Sequence, residues 1–196
     1  MKGLDYRIEG DASGASYFWA MAAVSAGRVR VKNVKPDSAQ GDIYFPDILE
    51  SMGCRVRKRE DWIEVEGPEK LKATNVDMEL MPDTAQTLAV VAAFAEGPTK
   101  ITGLSTLKAK ETDRLVALQN ELKKMGIETE IGDDFIVIHG GDPQPAEIET
   151  YDDHRMAMSF AAAEAKLGGM KILKPEVVKK SFPSFWDELA KIGLFV

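Results

Sequence analysis

Small apolar residues dominate three stretches of the chain, and their pattern predicts three buried helices. The stretches are residues 15–24, 85–94 and 156–163. Because each stretch is apolar nearly all the way round a helix, each helix should be surrounded by the rest of the domain. Each stretch is followed by a glycine, at which a helix can end, and then by a short predicted strand. The glycines are Gly27, Gly97 and Gly168.

Two longer segments alternate between polar and apolar residues, and they predict pairs of strands. Residues 54–67 and 127–140 each follow a Met-Gly helix end and contain two alternating runs joined at an acidic turn. A third helix end, at residues 189–193, is followed by only three residues. The order strand, helix, strand, helix, strand, strand therefore recurs about three times, with a period of about seventy residues.

This repetition predicts one α/β domain (α+β by some schemes) over residues 1–196, with pseudo-threefold symmetry and about three βαβαββ units. The units should span about 3–68, 69–141 and 146–196. The apolar helices should lie inside, and the second, more polar helix of each unit should lie outside. The third unit is incomplete because its closing strand pair is largely absent, which would leave the kind of sheet edge that proteins normally cover.

Composition narrows the class of protein. A hydrophobic fraction of 44% is ordinary for a folded domain, and a net charge of −7 argues against a nucleic-acid partner. Cys54 is the only cysteine, which excludes an intramolecular disulfide and favours a reducing compartment. No apolar run could span a bilayer and residues 1–6 show no signal core, so we expect a soluble, cytoplasmic protein without a membrane partner. Because no common nucleotide-binding or metal-binding motif is present, we expect neither a cofactor nor a metal site.

Polar clusters precede the three apolar helices, and each cluster contains an aspartate: Asp11, Asp83 and Asp153. Aspartate is a favoured N-cap, so capping alone would explain any one of them. If threefold symmetry points the three helix starts the same way, they should form one polar face. Helix N-termini carry free N–H groups and positive potential, which suits such a face to binding anions.

Two segments near these helices place positively charged residues at predicted helix starts, where acidic residues are usual. Residues 110–114 read Lys-Glu-Thr-Asp-Arg and should open a helix, with Lys110 and Arg114 on one face. Arg155, next to His154, stands at another helix start. Cations at these positions oppose the helix dipole, and a local conflict of this kind is typical of a functional site. The alternative is a solvated ion network without function, and a histidine in such a place is more often structural than a proton donor.

Several segments resemble, in the same order, the C-terminal half of 5-enolpyruvylshikimate-3-phosphate synthases; they are residues 9–13, 41–43, 81–83, 110–115, 153–158 and 180–185. The fourth and fifth segments distinguish this family from the UDP-N-acetylglucosamine enolpyruvyl transferases, which share the fold. The resemblance implies two domains, each of three βαβαββ units, that face each other across a cleft. This chain would be the C-terminal domain, and the N-terminal domain, which would be its partner, would hold the phosphate of shikimate 3-phosphate.

The resemblance also implies a reaction and assigns residues to it. The family transfers the enolpyruvyl group of phosphoenolpyruvate to the 5-hydroxyl of shikimate 3-phosphate with release of phosphate, in the pathway to chorismate and the aromatic amino acids. By position, Asp83 is the base, Glu111 is the acid/base near the methylene carbon, and Lys110 lies near the 5-hydroxyl. The implied phosphoenolpyruvate ligands are Arg114, Arg155 and Lys180, and further candidates are His154, Asp11 and Thr106.

Half of a two-domain site should not turn over alone, so we expect this chain to need the N-terminal domain for activity. Two alternatives stay open at this point. In the first, the chain is a non-catalytic anion-binding or docking module of the same fold. In the second, it is a relative of the UDP-N-acetylglucosamine enolpyruvyl transferases.

Overall fold

The computed structural model describes residues 8–194 and shows three successive units built around three inner helices. The predicted beginning of the first unit, at about residue 3, and residues 195–196 lie outside the described residues. Between residues 8 and 194, no helix is both long enough and apolar enough to cross a membrane.

The first unit contains two helices and a three-stranded sheet. Its elements are α1 (Ala12–Ser25), β1 (Arg28–Lys32), α2 (Phe45–Ser51), β2 (Arg55–Arg59) and β3 (Trp62–Glu66). Strand β3 lies between β1 and β2 and runs antiparallel to both. Ile63 and Val65 of β3 are fully buried, so the apolar positions of the predicted hairpin pack on the core.

The second unit has the complete predicted order of elements, with its first strand split in two. Its elements are β4 (Leu71–Lys72), β5 (Asn75–Asp77), α3 (Ala85–Ala92), β6 (Ala95–Thr102), α4 (Arg114–Lys124), β7 (Glu128–Ile131) and β8 (Ile136–Gly140). The sheet has the order β4-β6-β8-β7, and β5 also pairs with β6. Strands β4 and β5 run parallel to β6, whereas β8 runs antiparallel to both β6 and β7.

The third unit is shorter. Its elements are β9 (Glu147–Ile148), α5 (His154–Ala161), α6 (Glu164–Leu167), β10 (Lys171–Ile172) and α7 (Phe185–Lys191). Strands β9 and β10 form a parallel pair. As far as residue 194 no hairpin follows α7, so this sheet has two strands in the described chain. The described part of the third unit therefore has no strand pair equivalent to β2–β3 or β7–β8.

The inner helices α1, α3 and α5 meet through three hydroxyl groups, one from each helix. Ser16 Oγ lies 3.4 Å from Thr87 Oγ1, which in turn lies 3.2 Å from Ser159 Oγ. All three residues are fully buried. Buried hydroxyls need hydrogen-bond partners, and here each inner helix supplies one to its neighbour. The predicted burial of the apolar helices is therefore confirmed, with a polar contact at the point where they meet.

Two glycines allow the hairpins of the first two units to end directly against an inner helix. Gly67 follows β3 and Gly140 ends β8. A Cβ atom at Gly67 would lie 2.2 Å from the carbonyl oxygen of Ala22, and one at Gly140 would lie 2.5 Å from that of Ala92. Each hairpin end therefore packs directly on the backbone of an inner helix, which leaves no room for a side chain.

Candidate active site

The three aspartates that precede the inner helices do not share one role. Asp11 caps α1 by accepting a hydrogen bond from Ser13 N at 3.0 Å, and Asp153 caps α5 by accepting one from Arg155 N at 2.8 Å. Asp83 makes no capping hydrogen bond and lies in the short 3-10 helix Pro82–Thr84 before α3. Capping therefore accounts for Asp11 and for one of the hydrogen bonds that Asp153 accepts, but it does not account for Asp83.

The carboxylate of Asp83 is contacted by three cations. Arg155 Nη2 lies 2.8 Å from Oδ2, Arg114 Nη1 lies 3.4 Å from Oδ1, and Lys110 Nζ lies 3.6 Å from Oδ1. The second unit supplies Asp83, Lys110 and Arg114, whereas the third unit supplies Arg155. The fold thus brings together residues that are far apart in the sequence.

Arg114 is the most enclosed cation of this group, with only 1% of its side chain exposed. Its Nε donates to Asp153 Oδ2 at 2.7 Å, and its Nη2 donates to Glu111 Oε2 at 2.7 Å. A buried charge is costly unless it is paired and hydrogen-bonded, and Asp153, which is fully buried, supplies that partner. Asp153 therefore has two tasks that its position as an N-cap does not reveal, because it both starts α5 and holds Arg114.

The prediction that residues 110–114 open a helix is wrong in detail. Helix α4 begins at Arg114, and Asp113 caps it by accepting hydrogen bonds from Leu115 N and Val116 N. Lys110 has an extended backbone just after the 3-10 helix Ser105–Ala109. Because the capping residue fixes the first turn at Arg114, Lys110 and Arg114 do not share a helix face. The two cations meet through Asp83 instead.

Glu111 and Lys180 form a further ion pair next to Arg114. Lys180 Nζ contacts Glu111 Oε1, so Glu111 lies between Lys180 and Arg114. Partial burial alone would raise the pKa of Glu111, but the hydrogen bond from Lys180 and the charge of Arg114 outweigh it and lower the pKa to about 2. We call the whole set the charged cluster; it consists of Asp83, Lys110, Glu111, Arg114, Asp153, Arg155 and Lys180.

The remaining candidates lie beside the charged cluster or outside it. His154 is 5% exposed, and its burial and the neighbouring charge of Arg155 lower its pKa, which keeps it neutral at pH 7. Its Nδ1 has no hydrogen-bond partner within residues 8–194. Thr106 is exposed in the 3-10 helix Ser105–Ala109, and no hydrogen bond between described residues joins it to the charged cluster. Asp11 is an exposed cap, as described above.

Two residues near the charged cluster were not identified from the sequence. Asp42 accepts a hydrogen bond from Ser13 Oγ, and burial raises its pKa although Ser13 and Arg155 act in the opposite direction. The hydroxyl of Tyr17 accepts a hydrogen bond from Arg155 Nη1 at 3.4 Å. In the sequence Tyr17 is only one member of the stretch at residues 15–24 that predicts a buried helix, and no local pattern indicates that its hydroxyl reaches a site residue.

Comparison with known proteins identifies the family of this chain. The family model described as EPSP synthase (3-phosphoshikimate 1-carboxyvinyltransferase) matches residues 1–189. This chain belongs to the EPSP synthase family. The resemblance that the two charged segments suggested is therefore confirmed at the level of the family.

Similar proteins in this family are about twice as long. Two relatives, from Methanosphaerula palustris and Methanoculleus marisnigri, are both named 3-phosphoshikimate 1-carboxyvinyltransferase. They are 45% and 47% identical to this chain over 193 residues, which make up 98% of this chain and 46% of each relative. The chain thus spans about half the length of the curated relatives that it matches.

A solved structure supports the fold. The EPSP synthase of Acinetobacter baumannii matches 95% of this chain and 46% of its own chain, with a TM-score of 0.83 and 31% sequence identity. The predicted α/β fold class is therefore confirmed.

Proposed function

We propose that this chain provides the half of a 3-phosphoshikimate 1-carboxyvinyltransferase active site that binds phosphoenolpyruvate, and that it acts as the C-terminal domain. The observation that carries the proposal is the convergence of Lys110, Arg114 and Arg155 on Asp83. The Glu111–Lys180 ion pair lies next to these residues, because Glu111 also contacts Arg114. These residue types suit a substrate with two anionic groups and a reaction that moves protons.

The cations of the charged cluster differ in how freely they can meet a ligand. Arg114 is held by a buried carboxylate, whereas 14% of the Arg155 side chain and 58% of the Lys180 side chain are exposed. Guanidinium groups bind phosphate and carboxylate groups through paired hydrogen bonds. Arg155 and Lys180 are therefore the groups that bind an incoming phosphoenolpyruvate, and Arg114 supplies a fixed positive charge behind them.

The carboxylates suit the two proton transfers of the family's reaction. Addition places a proton on the methylene carbon of phosphoenolpyruvate while the 5-hydroxyl oxygen bonds to C2 and loses its proton. Elimination then removes a proton from the new methyl group and breaks the bond from C2 to the phosphate oxygen. Asp83 is the candidate for accepting the hydroxyl proton, and Glu111 is the candidate for exchanging a proton with the methylene carbon.

Glu111 needs a change of partner before it can deliver a proton. In this structure Lys180 and Arg114 keep the pKa of Glu111 at about 2, so it is ionised at neutral pH. A ligand anion that draws Lys180 away removes one of the groups that lower this pKa. Substrate binding therefore raises the pKa of Glu111 towards the range in which it acts as an acid.

Phosphate release measured with the two halves of the site tests the proposal. The chain is combined with the part of the Methanosphaerula palustris relative that it does not match, and each component is also assayed alone. We expect turnover with phosphoenolpyruvate and shikimate 3-phosphate only in the combination. Turnover by this chain alone would contradict the half-site, and a combination that assembles and binds phosphoenolpyruvate without turnover would favour a non-catalytic anion-binding module.

The variants Asp83→Asn and Glu111→Gln separate chemistry from binding in the same assay. Each should lower turnover by about 10²- to 10⁴-fold, the usual contribution of a general acid or base. Because Asp83 competes with ligand anions for the same cations, Asp83→Asn should not weaken phosphoenolpyruvate binding to the chain, as measured by calorimetry. Asp47→Asn, which alters an exposed surface carboxylate paired with Lys58, is the matched control.

A further inference from the structure

Tyr17 brings a buried hydroxyl from the first unit to Arg155. It lies on α1, is 1% exposed, and its hydroxyl oxygen accepts a hydrogen bond from Arg155 Nη1 at 3.4 Å. Its ring packs edge-on against Phe185 of α7, with the ring centroids 5.8 Å apart. The position of the ring, and with it that of the hydroxyl, is therefore set by packing in the core.

Among residues 8–194, the other hydrogen-bond partners of the Arg155 guanidinium both belong to Asp83. Arg155 Nη2 donates to Asp83 Oδ2 at 2.8 Å, and Nη1 donates to the Asp83 backbone oxygen at 3.2 Å. If Asp83 takes part in proton transfer, its carboxylate must turn towards substrate and its contact with Arg155 weakens. Tyr17 and the Asp83 backbone oxygen do not depend on that movement, so they keep Nη1 in place.

A phenol has an electrostatic advantage over a carboxylate at this position. Burial raises the pKa of Tyr17, although Arg155 acts in the opposite direction, so the hydroxyl stays neutral at physiological pH. A neutral acceptor orients the guanidinium without cancelling its charge, which leaves the full positive charge for an anionic ligand. A second carboxylate here would compete with that ligand.

We infer that Tyr17 is a positioning residue that holds the Arg155 guanidinium ready for an anion. It acts through Arg155, not by contact with substrate. The inference rests on the proposed function as far as the ligand is phosphoenolpyruvate, whereas the orientation of Arg155 can be measured without any ligand.

The first test measures the orientation directly in the chain as it is. Rotation of the Arg155 guanidinium about its Nε–Cζ bond is followed by NMR exchange between the two Nη signals in ¹⁵N-arginine-labelled protein, and Arg155→Lys assigns the signals. Tyr17→Phe keeps the ring and its packing but removes the oxygen, so rotation should become faster. Tyr44→Phe removes an exposed hydroxyl from the 3-10 helix Gly41–Tyr44 and should leave the rotation unchanged.

The second test measures the consequence for the ligand. In the combined two-part enzyme, Tyr17→Phe should raise the KM for phosphoenolpyruvate by about three- to tenfold, the loss expected for one hydrogen bond of typical strength. The KM for shikimate 3-phosphate and kcat should stay near their original values. A destabilised fold would change all three constants together.

The outcomes separate the two proposals. Unchanged rotation of Arg155 in Tyr17→Phe overturns the positioning role, and so does faster rotation with an unchanged KM for phosphoenolpyruvate. If neither the chain nor the combined enzyme binds phosphoenolpyruvate, the proposed function fails. The rotation measurement still decides in that case whether Tyr17 holds Arg155.

Discussion

Three aspartates precede the inner helices, and their surroundings give them different chemistry. Asp11 and Asp153 accept hydrogen bonds from helix N–H groups, whereas Asp83 accepts contacts from Arg114, Arg155 and Lys110. A cap is satisfied by backbone and is common at any helix start. A carboxylate contacted by three side-chain cations is available for exchange with a ligand, so Asp83 is the one that the proposed reaction uses.

The pair of Arg114 with Asp153 should carry a large share of the stability of this region. Asp153→Asn keeps a residue that can cap α5 but removes the fully buried one of the three carboxylates that contact the Arg114 guanidinium. Removing one member of a buried ion pair typically costs about 3–5 kcal/mol. Asp11→Asn is the matched control, because Asp11 is also an N-cap but is exposed. Its cost should stay below about 0.5 kcal/mol, as for most surface substitutions. Equal losses in urea unfolding for the two variants would show that capping, not the buried ion pair, is what Asp153 contributes.

Glu111 should make stability depend on pH in a narrow acid range. Its pKa is lowered from 4.5 to about 2 in the folded chain, so the unfolded chain binds the proton more tightly. The stabilisation is complete above the unfolded value of 4.5 and is lost as the pH falls towards 2. Urea unfolding at several pH values should show a smaller loss in Glu111→Gln than in the original chain over that range. Parallel curves for the two proteins would contradict the lowered pKa.

At the scale of elements, the inner helices and hairpins fit together through close backbone contacts. The end of β8 packs on the C-terminal end of α3, where a side chain at position 140 would meet the carbonyl oxygens of Ala92 and Ala95. The end of β3 makes the same kind of contact with α1 through Gly67. The repeated helix-to-hairpin geometry of the first two units therefore depends on glycine at corresponding places.

Gly140→Ala should destabilise the domain, since overpacking against backbone typically costs about 1–3 kcal/mol. The neighbouring variant Gly141→Ala is the control, because a Cβ atom there has no neighbour within 4 Å. Thermal unfolding followed by circular dichroism measures both. A Gly140→Ala protein as stable as Gly141→Ala would mean that the hairpin can move away from α3 without cost.

Periodicity predicted the elements well because burial and alternation leave a direct mark on the sequence. The apolar stretch at residues 85–94 became α3, and residues 127–140 became the β7–β8 hairpin. The start of α4 was predicted too early, since the choice of Asp113 as cap depends on a single hydrogen-bonded side chain. Helix ends are set by such local details, whereas the existence of a helix is set by many residues together.

At the scale of the whole molecule, the sequence could identify charged residues but could not show which of them meet. The separation of Arg155 from Tyr17 is 138 residues, and that of Arg155 from Asp83 is 72 residues. Only the packing of three units around α1, α3 and α5 brings these positions together. The candidate residues were therefore found from motifs, whereas the roles of Asp153 and Tyr17 needed the fold.

The balance of charges within the charged cluster affects the rate at which an anion can associate with the cluster. Its cations are Lys110, Arg114, Arg155 and Lys180, and its carboxylates are Asp83, Glu111 and Asp153. Nearly all the positive charge is thus neutralised internally, within a chain of net charge −7. Long-range electrostatic attraction of an anionic ligand is therefore weak, and its association rate should not fall as the ionic strength rises. Capture begins only at short range, when the ligand takes the place of a carboxylate beside Arg155 or Lys180.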